Sequence, residues 1–199
     1  MKKTINLSLL IIFSAFFLFG CTSKNQTENT NINLEEDIIP TSATMTTISP
    51  TKTQSQDTFV AIKTKDGEIV LKLYQDLAPN TVANFVKKAD SGFYKNLIFH
   101  RVIPGFMAQG GDPLGTGTGG GDQKSEINNI PFVRGSIGLA RAGNKEISND
   151  SQFFICFTTE GCQHLTGDYV NFGEVVSGLE VLDKIVQGDK ILDIVTTTK

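Results

Sequence analysis

The chain has 199 residues, a formal net charge of −3 and 39% hydrophobic residues, values that suit one soluble domain plus additional segments. With 18 Lys and Arg against 21 Asp and Glu, neither sign dominates, and the electrostatic footprint of a nucleic-acid binder is missing. Three cysteines are too few for a disulfide-framed scaffold, and with no Trp and 14 Phe the aromatic packing falls to phenylalanine.

Residues 1–21 read as a targeting segment. Lys2 and Lys3 give a positive start, and the mostly apolar run from Ile5 to Phe19 is short for a membrane span of about 20 residues. It ends Leu18-Phe19-Gly20-Cys21, which resembles a bacterial lipobox, with Cys21 the lipidated residue and new N-terminus. An ordinary signal peptide or an uncleaved anchor is the plainer alternative. The lipobox implies an extracytoplasmic protein held to a bacterial membrane. Residues 22–57 are rich in Thr, Asn, Ser and Gln and bury too little apolar surface to offset ordering, so they read as a flexible tether. The patch Ile38-Ile39-Pro40 reads as a solvated part of it rather than a docking spot.

The folded domain is expected from Thr58 onward. Phe59 to Thr64 and Glu68 to Tyr74 read as strands joined by the turn Lys65-Asp66-Gly67. Pro79-Asn80-Thr81 opens a helix, capped by Asn80 or Thr81, with Val82, Phe85, Val86 and Ala89 inward and Ser91-Gly92 at its end. Strands follow at Ser136 to Ala140, Gln152 to Phe157, Tyr169 to Val176 and Ile191 to Thr197. A second helix spans Leu179 to Val186, with Leu179, Leu182, Ile185 and Val186 inward. Many strands with two helices argue for a closed sheet capped by helices, not a parallel α/β fold.

The densest stretch is Phe99 to Asp112, Phe-His-Arg-Val-Ile-Pro-Gly-Phe-Met-Ala-Gln-Gly-Gly-Asp. Read as a strand up to Pro104, it puts Phe99, Arg101 and Ile103 on one face and His100 and Val102 on the other. Beyond the Pro104-Gly105 bend, Phe106, Met107 and Gln109 can return toward Arg101. A cation and an amide then stand beside an apolar floor. An arginine among apolar strand residues is costly to desolvate unless paired or used, and on this stretch alone a structural ion pair stays open.

Other motifs read plainly. Gly115, Gly117 and Gly120 match G-x-G-x-x-G, but no strand precedes them and no helix follows, so they read as a tight surface loop. His100 and His164, the two histidines, and Cys156 and Cys162 lack the spacing of a metal site or of a nucleophilic triad. His100 reads as a hydrogen-bonded strand residue. Cys156 reads as a buried packing residue, with a Cys156–Cys162 disulfide the alternative outside the cytosol.

An ordered set of segments resembles the cyclophilins, peptidyl-prolyl cis-trans isomerases. These are Phe99 to Asp112, Gly117-Thr118-Gly119-Gly120, Gly138-Leu139-Ala140-Arg141-Ala142, Ser151-Gln152-Phe153-Phe154-Ile155, His164-Leu165 and Phe172-Gly173, and the likeness covers about residues 58–199. The resemblance implies a mainly β fold, an eight-stranded antiparallel closed barrel capped by two helices. It implies that Arg101 is catalytic, that Phe106, Met107, Phe154 and Leu165 wall a proline pocket, and that Gln109 and Gln152 are its amide contacts. It places Ala140 and Arg141 on the segment that pairs with substrate backbone, beside Gly117. His164 stands where the family commonly has a rim tryptophan, Tyr169 where it has a histidine, and Arg141 where many relatives have asparagine. Loss of the tryptophan puts binding of the inhibitor cyclosporin in doubt.

The resemblance further implies a monomer acting on proline-containing polypeptides, with no metal or cofactor, since no bond is made or broken. The rival reading from another class is a binding or chaperone module that grips proline segments without needing turnover, and a more distant one is a surface adhesin using the domain as a scaffold.

Overall fold

The sequence alternation builds strands first. In a computed structural model, which describes residues 57–198, β1 (Thr58–Thr64) and β2 (Gly67–Leu73) pair as the expected hairpin, Thr64 opposite Gly67. The leader, Cys21 and the tether up to residue 56 lie outside the described residues.

Helix α1 (Pro79–Asp90) buries Thr81, Val82, Phe85 and Ala89. Pro79 sits in its first turn, where a missing N–H costs nothing. Neither Asn80 nor Thr81 is the cap. Ala78 holds that position and makes no side-chain bond. Glu126, 45 residues beyond Thr81, supplies the acceptor instead. Its carboxylate takes the Thr81 N–H at 2.8 Å and the Asn80 N–H at 3.1 Å, satisfying two donors that the helix leaves unpaired.

Next come β3 (Arg101–Ile103), β4 (Met107–Gly110), β5 (Asp122–Lys124), β6 (Ser136–Leu139), β7 (Ile147–Asn149) and β8 (Phe153–Cys156). The short helix α2 (Thr159–Cys162) runs into a 3-10 turn at Gln163–Leu165. The strand β9 (Asn171–Ser177), the helix α3 (Leu179–Leu182) and the strand β10 (Asp193–Thr197) complete the described elements. Strands β5 and β7 form a separate two-stranded ribbon.

The other eight strands make one antiparallel sheet in the order β10-β1-β2-β9-β6-β8-β4-β3. The sheet is open, so the closed barrel expected from the sequence is corrected to a half-barrel. Its edge strands β10 and β3 do not pair. With three residues before Pro104, β3 is too short to carry a further ladder. The segments leading into the two edges do meet: Ile98 bridges Lys190, the Phe99 N–H donates to the Asp189 carbonyl at 2.9 Å, and the Ile191 N–H donates to that of Leu97 at 2.8 Å.

The expected second helix is also shorter. α3 ends at Leu182, and Lys184 and Ile185 continue with i→i−3 bonds to Val181 and Leu182. That tightening turns the chain so that Gly188 can donate to the Phe99 carbonyl at 2.9 Å. Ile185 stays buried, but Val186 is 58% exposed rather than inward.

The larger core lies between α1 and the sheet. Phe85 is 1% exposed and meets Phe153 and Phe172 edge-on at 5.6 and 5.2 Å, a burial that contributes about 2–3 kcal/mol. A second cluster gathers Met107, Phe132, Phe154, Cys156, Cys162 and Leu165, with Phe106 and Tyr169 against it. Here the reading of Cys156 as an unpaired packing residue is corrected: Cys156 and Cys162 form a disulfide. It ties β8 to the end of α2, and both cysteines are fully buried.

Candidate active site

Arg101 opens β3 and faces Gln109 of β4 across the ladder. Directly opposed residues share a face of the sheet, so the guanidinium and the amide meet. Arg101 Nη1 donates to Gln109 Oε1 at 3.3 Å and lies 3.9 Å from the Met107 sulfur. The guanidinium carbon stands 6.0 Å from the Phe106 ring centre, the outer limit of a cation–π contact. Among the described residues no carboxylate pairs with Arg101, and the side chain is exposed. The ion pair left open by the sequence is therefore not made to any described residue. The expected shared face fails at one residue: Phe99 precedes the strand and lies fully buried in the core, while Arg101 and Ile103 are exposed.

Gln109 hands the contact on. Its Nε2 donates to Gln152 Oε1 at 2.9 Å, and Gln152 Nε2 donates to the Gly119 carbonyl at 2.8 Å. Gln152 is 3% exposed, and a buried amide of that kind must be paired. A continuous line of hydrogen bonds thus runs from Arg101 to the glycine-rich loop.

A cavity of about 100 Å³ opens beside Arg101, lined also by Phe106, Met107, Gln109, Ala140, Arg141, Phe154, Leu165 and Tyr169. Its apolar walls come from the turn after β3, from β4 and β8, and from the 3-10 turn. A second cavity of about 380 Å³ shares Gln109, Ala140 and Arg141 with the first and adds Gly117 and Gln152. The structure therefore brings every expected residue together except His164. That ring is exposed and stands 5.7 Å from the Phe106 ring, outside the lining of both cavities.

Phe132 was not foreseen. It stacks on Phe154 at 5.5 Å and backs the cavity wall. Gly138 makes room for that stack, because a Cβ there would lie 2.6 Å from Phe154 Cζ and 2.7 Å from Phe132 Cε1. The only sequence signal was a lone Phe after Pro131, which has no period to place it. Asn149 was missed too. Its side chain accepts the Gln152 N–H at 2.8 Å and donates to the Gly119 carbonyl at 3.0 Å.

The glycine-rich loop is built around Asp112, 1% exposed. Its carboxylate accepts from the backbone N–H groups of Leu114, Thr116 and Gly117. Burial pushes the carboxyl up, but those donors outweigh it and hold Asp112 below the usual carboxylate range. Gly117 has φ of 89°, a left-handed backbone that favours glycine. His100 packs against this loop, 3.8 Å from the position of a Cβ at Gly117. It is not the hydrogen-bonded strand residue expected. Both ring nitrogens are buried without a partner, and the residue precedes β3. Burial pulls its pKa down, with Arg101 adding to the effect and Asp112 opposing it.

Residues 59–198 match the family model described as "Cyclophilin type peptidyl-prolyl cis-trans isomerase/CLD". The chain is 49% identical over 143 residues to a peptidyl-prolyl cis-trans isomerase of Helicobacter pylori, covering 69% of this chain and 85% of that one. To a protein of the same name from Synechococcus elongatus it is 45% identical over 141 residues, covering 69% and 94%. A crystal structure of a cyclophilin-type isomerase from Cryptosporidium parvum, solved in the presence of the dipeptide Ala-Pro, superposes with a TM-score of 0.65 at 34% identity, covering 71% of this chain and 99% of that one. The chain belongs to the cyclophilin-type peptidyl-prolyl cis-trans isomerase family.

Proposed function

We propose that this isomerase works outside the cytoplasm, anchored through Cys21, and that Arg101 carries its catalysis of X-Pro rotation in client polypeptides. The observation that carries the assignment is an arginine with no carboxylate partner among the described residues, held by Gln109 beside an apolar cavity of about 100 Å³. Rotation about an X-Pro bond breaks amide resonance and takes tens to hundreds of seconds unaided. In the twisted state the prolyl nitrogen regains its lone pair and accepts hydrogen bonds better. A guanidinium near that nitrogen favours the twisted state over the planar one, and only such differential binding accelerates the step. Phe106, Met107, Phe154 and Leu165 hold the ring, while Gln109, Gln152 and the Ala140-Arg141 segment meet the peptide. No nucleophile, metal or cofactor enters.

The enzyme acts as a monomer on proline-containing segments of folding proteins. The anchor rests on the sequence Leu18-Phe19-Gly20-Cys21. Turnover of a proline peptide by the full chain, compared with an Arg101→Ala variant, tests the site. Labelling with a fatty acid, lost on Cys21→Ala together with membrane association, tests the anchor. Unlabelled wild-type protein recovered from the medium would remove it.

A further inference from the structure

Arg141 is held as no other arginine here is. Its Nε donates to the Asp168 carbonyl at 3.0 Å, and Nη1 donates to the carbonyls of Ala142 at 2.9 Å and Gly143 at 3.2 Å. The guanidinium carbon sits 4.4 Å over the Tyr169 ring, a cation–π contact that fixes its plane. Three donor bonds are thus spent on backbone carbonyls, which bring no neutralising charge. Nη2 makes no hydrogen bond to any described residue, so two N–H donors of the fixed fork remain. The Asp168 carboxylate pairs with Lys145 at 2.9 Å and, at longer range, also feels the Arg141 charge without bonding to it.

Arg141 lines both cavities, and the smaller one is lined by two guanidiniums, of Arg101 and Arg141, and by no carboxylate. Asp122 lines only the larger cavity. A proline ring brings no charge to compensate these cations, in a chain whose net charge is −3. We infer that Arg141 is a specificity determinant that favours X-Pro bonds flanked by a carboxylate side chain, Glu or Asp, in the polypeptide substrate. The inference rests on the isomerase reading of the same site. A pre-positioned guanidinium pays little ordering entropy to receive a carboxylate, and its fork matches the two oxygens.

The test uses the full chain and peptides capped at both ends, so that a side chain supplies the only carboxylate. Glu or Gln is placed two residues before, one before, or one after the proline. The quantity read is the Glu-to-Gln ratio of kcat/KM within each enzyme, which cancels any general loss of activity. At one of the three positions wild type should show a ratio of about fivefold, the scale of a partly shielded charge pair. Arg141→Gln should bring it close to one, and Arg141→Lys should leave part of it. Raising salt from about 0.05 M to about 0.5 M should at least halve the wild-type ratio. A ratio near one at all three positions, or one that survives Arg141→Gln, overturns the inference. If Arg141→Gln does not fold, a wild-type ratio insensitive to salt overturns it. Turnover of no peptide would instead reject the isomerase reading, and this inference with it.

Discussion

Gln109 joins Arg101 to Gln152: it accepts from the guanidinium through Oε1 at 3.3 Å and donates through Nε2 at 2.9 Å. Because Arg101 is exposed and has no carboxylate partner among the described residues, this amide is what orients it. The orientation is in turn anchored in a buried side chain, Gln152, and in the carbonyl of Gly119. Gln109 and Gln152 thus hold Arg101 in place, and under the role proposed for Arg101 they serve the reaction partly in that way.

Gln152→Leu should therefore damage both fold and rate. It leaves the Gly119 carbonyl with Asn149 as its side-chain donor and the half-buried Gln109 Nε2 without its acceptor, at a cost of about 1 kcal/mol, the net worth of a typical hydrogen bond. Urea unfolding should register that loss. The activity signature is a kcat that falls more than KM rises, because the side chain proposed to stabilise the twisted bond is left loose. An unchanged kcat would show that Gln152 is a structural amide only.

Glu126 predicts a remote effect. As the acceptor for the first turn of α1, it stands where a local Ser, Thr or Asp cap would. Glu126→Ala should cost about 1 kcal/mol of stability, the usual value of a lost cap, with kcat/KM at the distant site unchanged. Burial pushes the Glu126 carboxyl up, but its donors from Thr81 and Asn80 prevail and hold it below the ordinary glutamate value. The contribution is therefore fully present above the unfolded pKa of about 4.3 and is lost as pH falls through the folded value. Chemical denaturation of wild type and variant should differ at pH 7 and converge in acid. A constant difference across that range would contradict the assignment.

His100 gives a second pH dependence of opposite origin. Its folded pKa lies below the ordinary value because burial desolvates the ring, whose two nitrogens have no hydrogen-bond partner. The unfolded state then binds more protons between the two values, so stability rises with pH there. It is complete above the unfolded pKa of about 6.5 and declines as pH falls from there toward the folded value. His100→Phe should remove this segment of the stability profile while keeping the packing against the Gly117 loop. Retention of the full slope by the variant would assign it elsewhere.

The Cys156–Cys162 disulfide closes a loop with a sequence separation of 6, and a loop that short is worth about 2 kcal/mol by restriction of the unfolded chain. The double variant Cys156→Ala, Cys162→Ala should lose about that much or more, since two buried sulfurs are removed as well. Because Leu165, which lines the smaller cavity, follows closely on Cys162, KM for proline peptides should rise. Equal stability and KM would mean that the crosslink neither stabilises the domain nor sets the pocket wall.

What could be read in advance follows chain distance. Arg101, Phe106, Met107 and Gln109 lie in one hairpin, where period-two alternation and a Pro-Gly bend nearly determine which side chains meet. The cap by Glu126 joins segments 45 residues apart, and no local pattern encodes it. Closure of the sheet depends on whether β3 and β10 can pair, a property of edge length that alternation does not carry. The disulfide was masked by the apolar neighbours of Cys156, which suit a packed thiol and a buried crosslink equally well. Phe132 reaches the site because Gly138 leaves a gap for it, a fit that only three dimensions reveal.

If Arg101 stabilises the twisted X-Pro bond, isomerisation of a proline peptide should separate wild type from Arg101→Ala. With the side chain exposed, the variant should keep its circular dichroism spectrum and melting temperature while kcat/KM drops about 100-fold to 1000-fold, the cost of removing one charge-stabilising donor. A folded Arg101→Ala variant with wild-type turnover would remove Arg101 from the catalysis.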